Sequence, residues 1–96
     1  MKLEEFKKKL EALKPTLSER FNVEALGVFG SYVRGEQKKK SDLDVLVEFS
    51  KPISLFRYIE LEDFLTEQLG VKVDLVMKRS LKPRIKDSIL KEAVYV

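Results

Sequence analysis

The stretch VFGSYVRGEQKKKSDLDVLV, residues 28 to 47, decides how the rest of the chain is read. Its left edge closes the apolar run Val23 to Phe29, which has the length and bounding glycine of a buried strand. Gly30 and Ser31 then turn the chain into a short helical segment, Tyr32 to Arg34, and Gly35 with Glu36, Gln37, Lys38, Lys39 and Lys40 forms an exposed connection. On the right, Leu43, Val45 and Val47 alternate with Asp42, Asp44, Leu46 and Glu48. That period of two predicts a second strand with carboxylates at its beginning.

Working outward, Leu3, Phe6, Leu10 and Leu13 recur at spacings of three and four and mark a first helix. Pro15 is expected to end, kink or restart that helix near Thr16 and Ser18. Downstream, Pro52 sits where it can open a third helix, with Leu55, Tyr58, Ile59, Leu65 and Leu69 on one face and Gly70 as its stop. Leu61 and Phe64 fall outside that stripe. Val71 to Met77 reads as a third strand carrying Asp74. A last helix after Pro83 follows from Leu81, Ile85, Ile89 and Ala93, and Val94 to Val96 forms an extended tail. The order α-β-α-β-α-β-α predicts an α/β or α+β fold: a small sheet of about three strands flanked by helices, residues 1–96 forming one domain.

Composition narrows the chemistry. With no Cys and no His, thiolate metal sites, disulfides and the commonest general base are excluded, which leaves carboxylates, hydroxyls and cations. A net charge of only +3 is too small to demonstrate a polyanion partner. The alternating charges of MKLEEFKKKLEALK do not read as a signal peptide, and no stretch approaches the apolar length of a membrane helix, so the cytoplasm is expected.

Asp42 and Asp44, two apart on a strand, project from the same face, close enough to share a dication or to repel one another. Mg²⁺ suits such a pair, because it binds through one or two carboxylates and substrate phosphates while keeping water. An Asp-x-Asp pair alone reads more often as a solvated strand end or turn. Asp74, in an otherwise apolar run, needs a partner if buried: either Lys72 or Lys78, or a metal shared with Asp42 and Asp44 should their strands lie side by side. Gly30 and Ser31 offer backbone N–H groups and a hydroxyl to an anion, although Ser31 also fits a plain N-cap.

GSYVRG (residues 30–35) followed by SDLDVLV (residues 41–47) resembles the signature of the polymerase-beta-type nucleotidyltransferase superfamily. VDLV (residues 73–76) resembles its strand for the third carboxylate, and LKPRIKDSILKEAVYV the end of its minimal members. The resemblance implies a polymerase-beta-like core with a small mixed sheet. It further implies that Asp42, Asp44 and Asp74 hold Mg²⁺, two ions in all, and that Gly30 and Ser31 bind the triphosphate of ATP. Arg34 matches the motif's Arg, to touch phosphate or to brace the loop. The reaction implied is attack by an acceptor oxygen on the α-phosphorus with release of pyrophosphate.

Stand-alone domains of this size resemble MntA-type antitoxins, which pair with HEPN-domain toxins and adenylylate a toxin tyrosine. A HEPN partner is therefore implied here. Leu61 and Phe64 are then candidate partner contacts or ordinary core. Lys38, Lys39 and Lys40 fit a solvated turn or a binding loop, and with no aromatic stacking platform beside them direct nucleic-acid binding is not expected. Two other readings stand beside the antitoxin enzyme: a nucleotidyltransferase acting on a small molecule or an RNA end, and a non-catalytic module that neutralises a partner by docking.

Overall fold

The computed structural model describes residues 2–96. It comprises α1 (Leu3–Phe21), β1 (Val23–Phe29), α2 (Ser31–Arg34), β2 (Leu43–Phe49), α3 (Leu55–Leu69), β3 (Val73–Met77), a 3₁₀ turn (Lys78–Ser80), α4 (Pro83–Glu92) and β4 (Val94–Tyr95). The strands form one mixed sheet in the order β3-β2-β1-β4. β2 and β3 run parallel, while β1 is antiparallel to both β2 and β4. The sheet thus has four strands where three were expected, because the tail pairs with β1 through Gly27↔Tyr95 and Val28↔Val94.

α1 continues through Pro15, so of the expected end, kink or restart the first and last do not occur. Pro15 and Glu11 are both exposed, so the Glu11 carbonyl that loses its intrahelical donor faces water and the interruption stays cheap. The other face buries Phe6, Leu10, Leu17 and Phe21 against the sheet, and Asn22, at φ 56°, ends the helix in the left-handed conformation.

The apolar face of α3 also differs from its sequence reading. Leu61, Leu65 and Leu69, spaced by four, are fully buried, whereas Leu55 and Ile59 are 73% and 48% exposed. Leu61 is core and thereby drops out as a partner contact, and Phe64 is half-buried, tilted against Phe21. The helix starts at Leu55, beyond Pro52, because the Ser54 hydroxyl caps it by accepting from the Arg57 N–H at 3.2 Å. Leu61→Ala should therefore cost about 2–5 kcal/mol, and Leu55→Ala no more than about 0.5 kcal/mol, in urea unfolding.

One further device fixes the edge strand. The Tyr58 hydroxyl donates to the Leu75 carbonyl (2.5 Å), Glu62 Oε2 accepts from the Leu75 N–H (2.9 Å) and Thr66 Oγ1 accepts from the Val73 N–H (3.1 Å). Residues 58, 62 and 66 form one row along α3, so the helix satisfies the outward backbone groups of β3. Both neighbours of Asp74 are held in this way.

Candidate active site

Parallel pairing of β2 with β3 sets Asp44 directly opposite Asp74. Asp42 lies just before β2, not within it, while Leu43 is tied to the Lys72 carbonyl at 2.8 Å. Leu43, Val45 and Val47 point into the helical core, which turns Asp44 to the opposite face of the sheet. Asp44 is half-buried, and its carboxyl is pushed up to about 6, first by burial and then by the negative charges of Asp74 and Asp42. Asp74 itself is exposed instead of buried, and its suggested partner Lys78 is 3.6 Å from Glu48.

Asp44 and Asp74 are therefore paired, with the Asp42 charge felt at Asp44, although among the described residues no three acidic side chains are placed to hold a metal ion together. Their chemistry would suit Mg²⁺, since they offer oxygen ligands and a mutual repulsion that a cation relieves.

Gly30 ends β1 beside this cluster at φ 83°, a conformation that suits glycine. The fit is tighter than conformation alone requires, since a Cβ at this position would overlap the Asp44 carboxylate oxygen Oδ2. Gly30 caps α2 and Ser31 is its first residue, so the N-cap reading of Ser31 does not hold. The Gly30 carbonyl accepts from the Val33 and Arg34 N–H groups at 3.0 and 3.2 Å, leaving the Ser31 and Tyr32 N–H groups at the open first turn.

Arg34 is committed to carboxylates. Its Nε donates to Glu36 Oε1 at 2.5 Å and its Nη1 to Glu92 Oε1 at 2.8 Å. The hydrogen bonds to Glu92 and then Glu36 raise the guanidinium pKa. Glu92, at the end of α4, spans the loop: its second oxygen accepts from the Gly30 N–H at 2.8 Å. Burial opposes its ionisation, but the bonds from Arg34 and Gly30 prevail and hold the carboxyl below its usual range.

Sequence reasoning missed Glu92, which lies 62 residues from its backbone partner Gly30 and reaches the site only because β4 pairs with β1. It also gave Ser41 no role. The Ser41 hydroxyl accepts from the Lys38 N–H at 2.7 Å and the Ser41 N–H donates to the Lys38 carbonyl at 3.0 Å, closing the exposed Lys38–Lys40 segment into a turn immediately before Asp42. A cavity of about 680 Å³ opens at the other end of β2 and β3, among Phe49, Tyr58, Met77 and Lys86. The carboxylates lie outside it, on an open face.

The nucleotidyltransferase domain family model matches residues 4–96. The protein adenylyltransferase MntA of Thermococcus cleftensis is 55% identical over 94 residues, covering 98% of this chain and 95% of the relative. A solved minimal nucleotidyltransferase superposes with a TM-score of 0.82 at 37% identity, covering 98% of this chain and 95% of that one. A toxin-antitoxin structure with AMP-PNP aligns with a TM-score of 0.74 at 26% identity, over 92% of this chain and 69% of that one.

Proposed function

The chain belongs to the nucleotidyltransferase domain family, and from that premise we propose that it is a Mg²⁺-dependent protein adenylyltransferase that moves AMP from ATP onto a tyrosine hydroxyl of a HEPN-domain toxin, serving as the antitoxin of that pair. The observation that carries this reading is the pairing of Asp44 with Asp74 across parallel strands, with Asp42 close enough to raise the Asp44 carboxyl. Likeness to a protein adenylyltransferase and to a toxin-antitoxin structure holding AMP-PNP supports the donor and the class of acceptor.

Asp42 and Asp44 would hold both Mg²⁺ ions and Asp74 would join them at one. When bound, the metal stabilises the entering and leaving oxygens of an in-line displacement. The Gly30, Ser31 and Tyr32 N–H groups, the Ser31 hydroxyl and Arg34 seat the triphosphate, with Gly30 admitting it close to the backbone. The tyrosine oxygen forms its bond to the α-phosphorus as the bond to the bridging oxygen breaks and pyrophosphate leaves. The phenolic proton passes to Asp74, the exposed carboxylate of the three. An open catalytic face suits an acceptor presented by another protein. Residues 1–96 act as one domain in this reading, in the cytoplasm, and among the described residues no helix is long and apolar enough to cross a membrane.

Incubation of the HEPN toxin with this protein, Mg²⁺ and each α-³²P-labelled NTP tests the proposal. Label should enter the toxin from ATP alone and disappear when the acceptor tyrosine is changed to Phe. Labelling that persists in every Tyr→Phe toxin would remove tyrosine as the acceptor.

A further inference from the structure

Glu92 uses both oxygens on groups that an incoming phosphate would also seek: the Gly30 N–H and the Arg34 guanidinium, each at 2.8 Å. Its side chain is 19% exposed and adds a negative charge beside Asp44. The segment that carries it is lightly held. α4 has no buried residue, and the strand after it makes two residue pairs with β1, extended by a bond from the Val96 N–H to the Leu26 carbonyl at 3.0 Å. A carboxylate in this position satisfies the loop's donors, and it would compete with and repel a polyanion arriving at the same groups.

We propose that Glu92 is a displaceable internal anion, a latch that closes the loop in the nucleotide-free protein and leaves Gly30 and Arg34 when the triphosphate binds, freeing α4. The proposal rests on the nucleotide-binding reading above and adds to it a coupling between nucleotide occupancy and the C-terminal helix. Because a ligand's apparent affinity falls by the fraction of protein that is competent to bind it, a latch closed about nine-tenths of the time weakens nucleotide binding about tenfold. The exchange is favourable for nucleotide because the phosphates bring more charge and more acceptor oxygens than one carboxylate.

Calorimetric titration with AMP-PNP and Mg²⁺ distinguishes a latch from a fixed brace. Glu92→Gln should bind about three- to tenfold more tightly than wild type, since the amide cannot hold Arg34 as an ion pair. A brace predicts weaker binding in the variant. Amide hydrogen exchange on the unaltered protein gives a second measure that does not depend on the variant folding: residues 83–92 should exchange faster when AMP-PNP saturates the site. Equal or weaker binding by Glu92→Gln, or exchange in α4 that is unchanged or slowed by nucleotide, overturns the latch while the nucleotide-binding reading stands. Failure of AMP-PNP to bind either protein overturns both.

Discussion

Replacing Asp44 with Asn should abolish nucleotidyl transfer, by about a thousandfold or more, and at the same time stabilise the metal-free protein. The expected loss follows from the proposed role of Asp44 as a charged metal ligand, an interaction whose transition-state share would be about 4 kcal/mol or more. The gain has a separate cause. Burial, Asp74 and Asp42 all disfavour the ionised Asp44 carboxyl, which sits at about 6 against an ordinary 3.8. A raised carboxyl pKa means that folding is penalised once the group ionises: the penalty is absent below the ordinary value and complete above the raised one. An amide escapes it. The nominal shift is about 3 kcal/mol, but the side chain is only half-buried and solvent screening reduces the expected gain to about 1 kcal/mol. Thermal melts in EDTA should therefore show Asp44→Asn higher than wild type by about 4–8 °C near neutral pH. That difference should shrink toward pH 4. Added Mg²⁺ should raise the wild-type melting temperature and leave the variant nearly unmoved.

Gly30→Ala should be the most damaging single-methyl change. Its backbone, at φ 83°, is strained for any residue with a Cβ, at a cost of about 1–3 kcal/mol. The new methyl would also occupy the space of Asp44 Oδ2, so the carboxylate must move. Misplacement of a catalytic group by about 1 Å costs about a hundredfold in rate, and the Gly30–Ser31 turn proposed to seat the triphosphate would move with it. We expect a loss of about 1–3 kcal/mol in urea unfolding together with a fall in transfer of about a hundredfold or more. Ser31→Ala, one residue along, removes a hydroxyl proposed to meet phosphate but leaves the backbone unstrained, so transfer should fall while unfolding stays like wild type. Stability and activity therefore separate at residue 31 and fall together at residue 30.

These two residues show why the local elements were legible in the sequence while their assembly was only partly so. Gly30, Asp42 and Asp44 lie within one local stretch whose strand-turn-helix and strand periods can be read residue by residue. Asp74 could be identified, but its place opposite Asp44 depends on the register of a parallel pair, a long-range property that no local pattern records. Glu92 was illegible for the same reason, since it reaches Gly30 through the two-residue pairing of β4 with β1. The misread face of α3 has a geometric cause. Leu55 and Ile59 continue an apolar rhythm in the first turns of the helix, yet both are exposed, and Leu61 fills the core instead. At Pro15 a general preference against proline inside helices lost to the burial of Leu17 and Phe21 beyond it.

We propose that the cluster of Asp42, Asp44 and Asp74 transfers the nucleotidyl group. This is tested most directly by supplying the HEPN toxin and Mg²⁺ with ATP labelled at either the α- or the γ-phosphorus, using wild-type protein and the double variant Asp42→Asn, Asp44→Asn. Label should reach the toxin from α-labelled ATP only, and the double variant should transfer none. Transfer from γ-labelled ATP, or undiminished transfer by the double variant, would contradict the account.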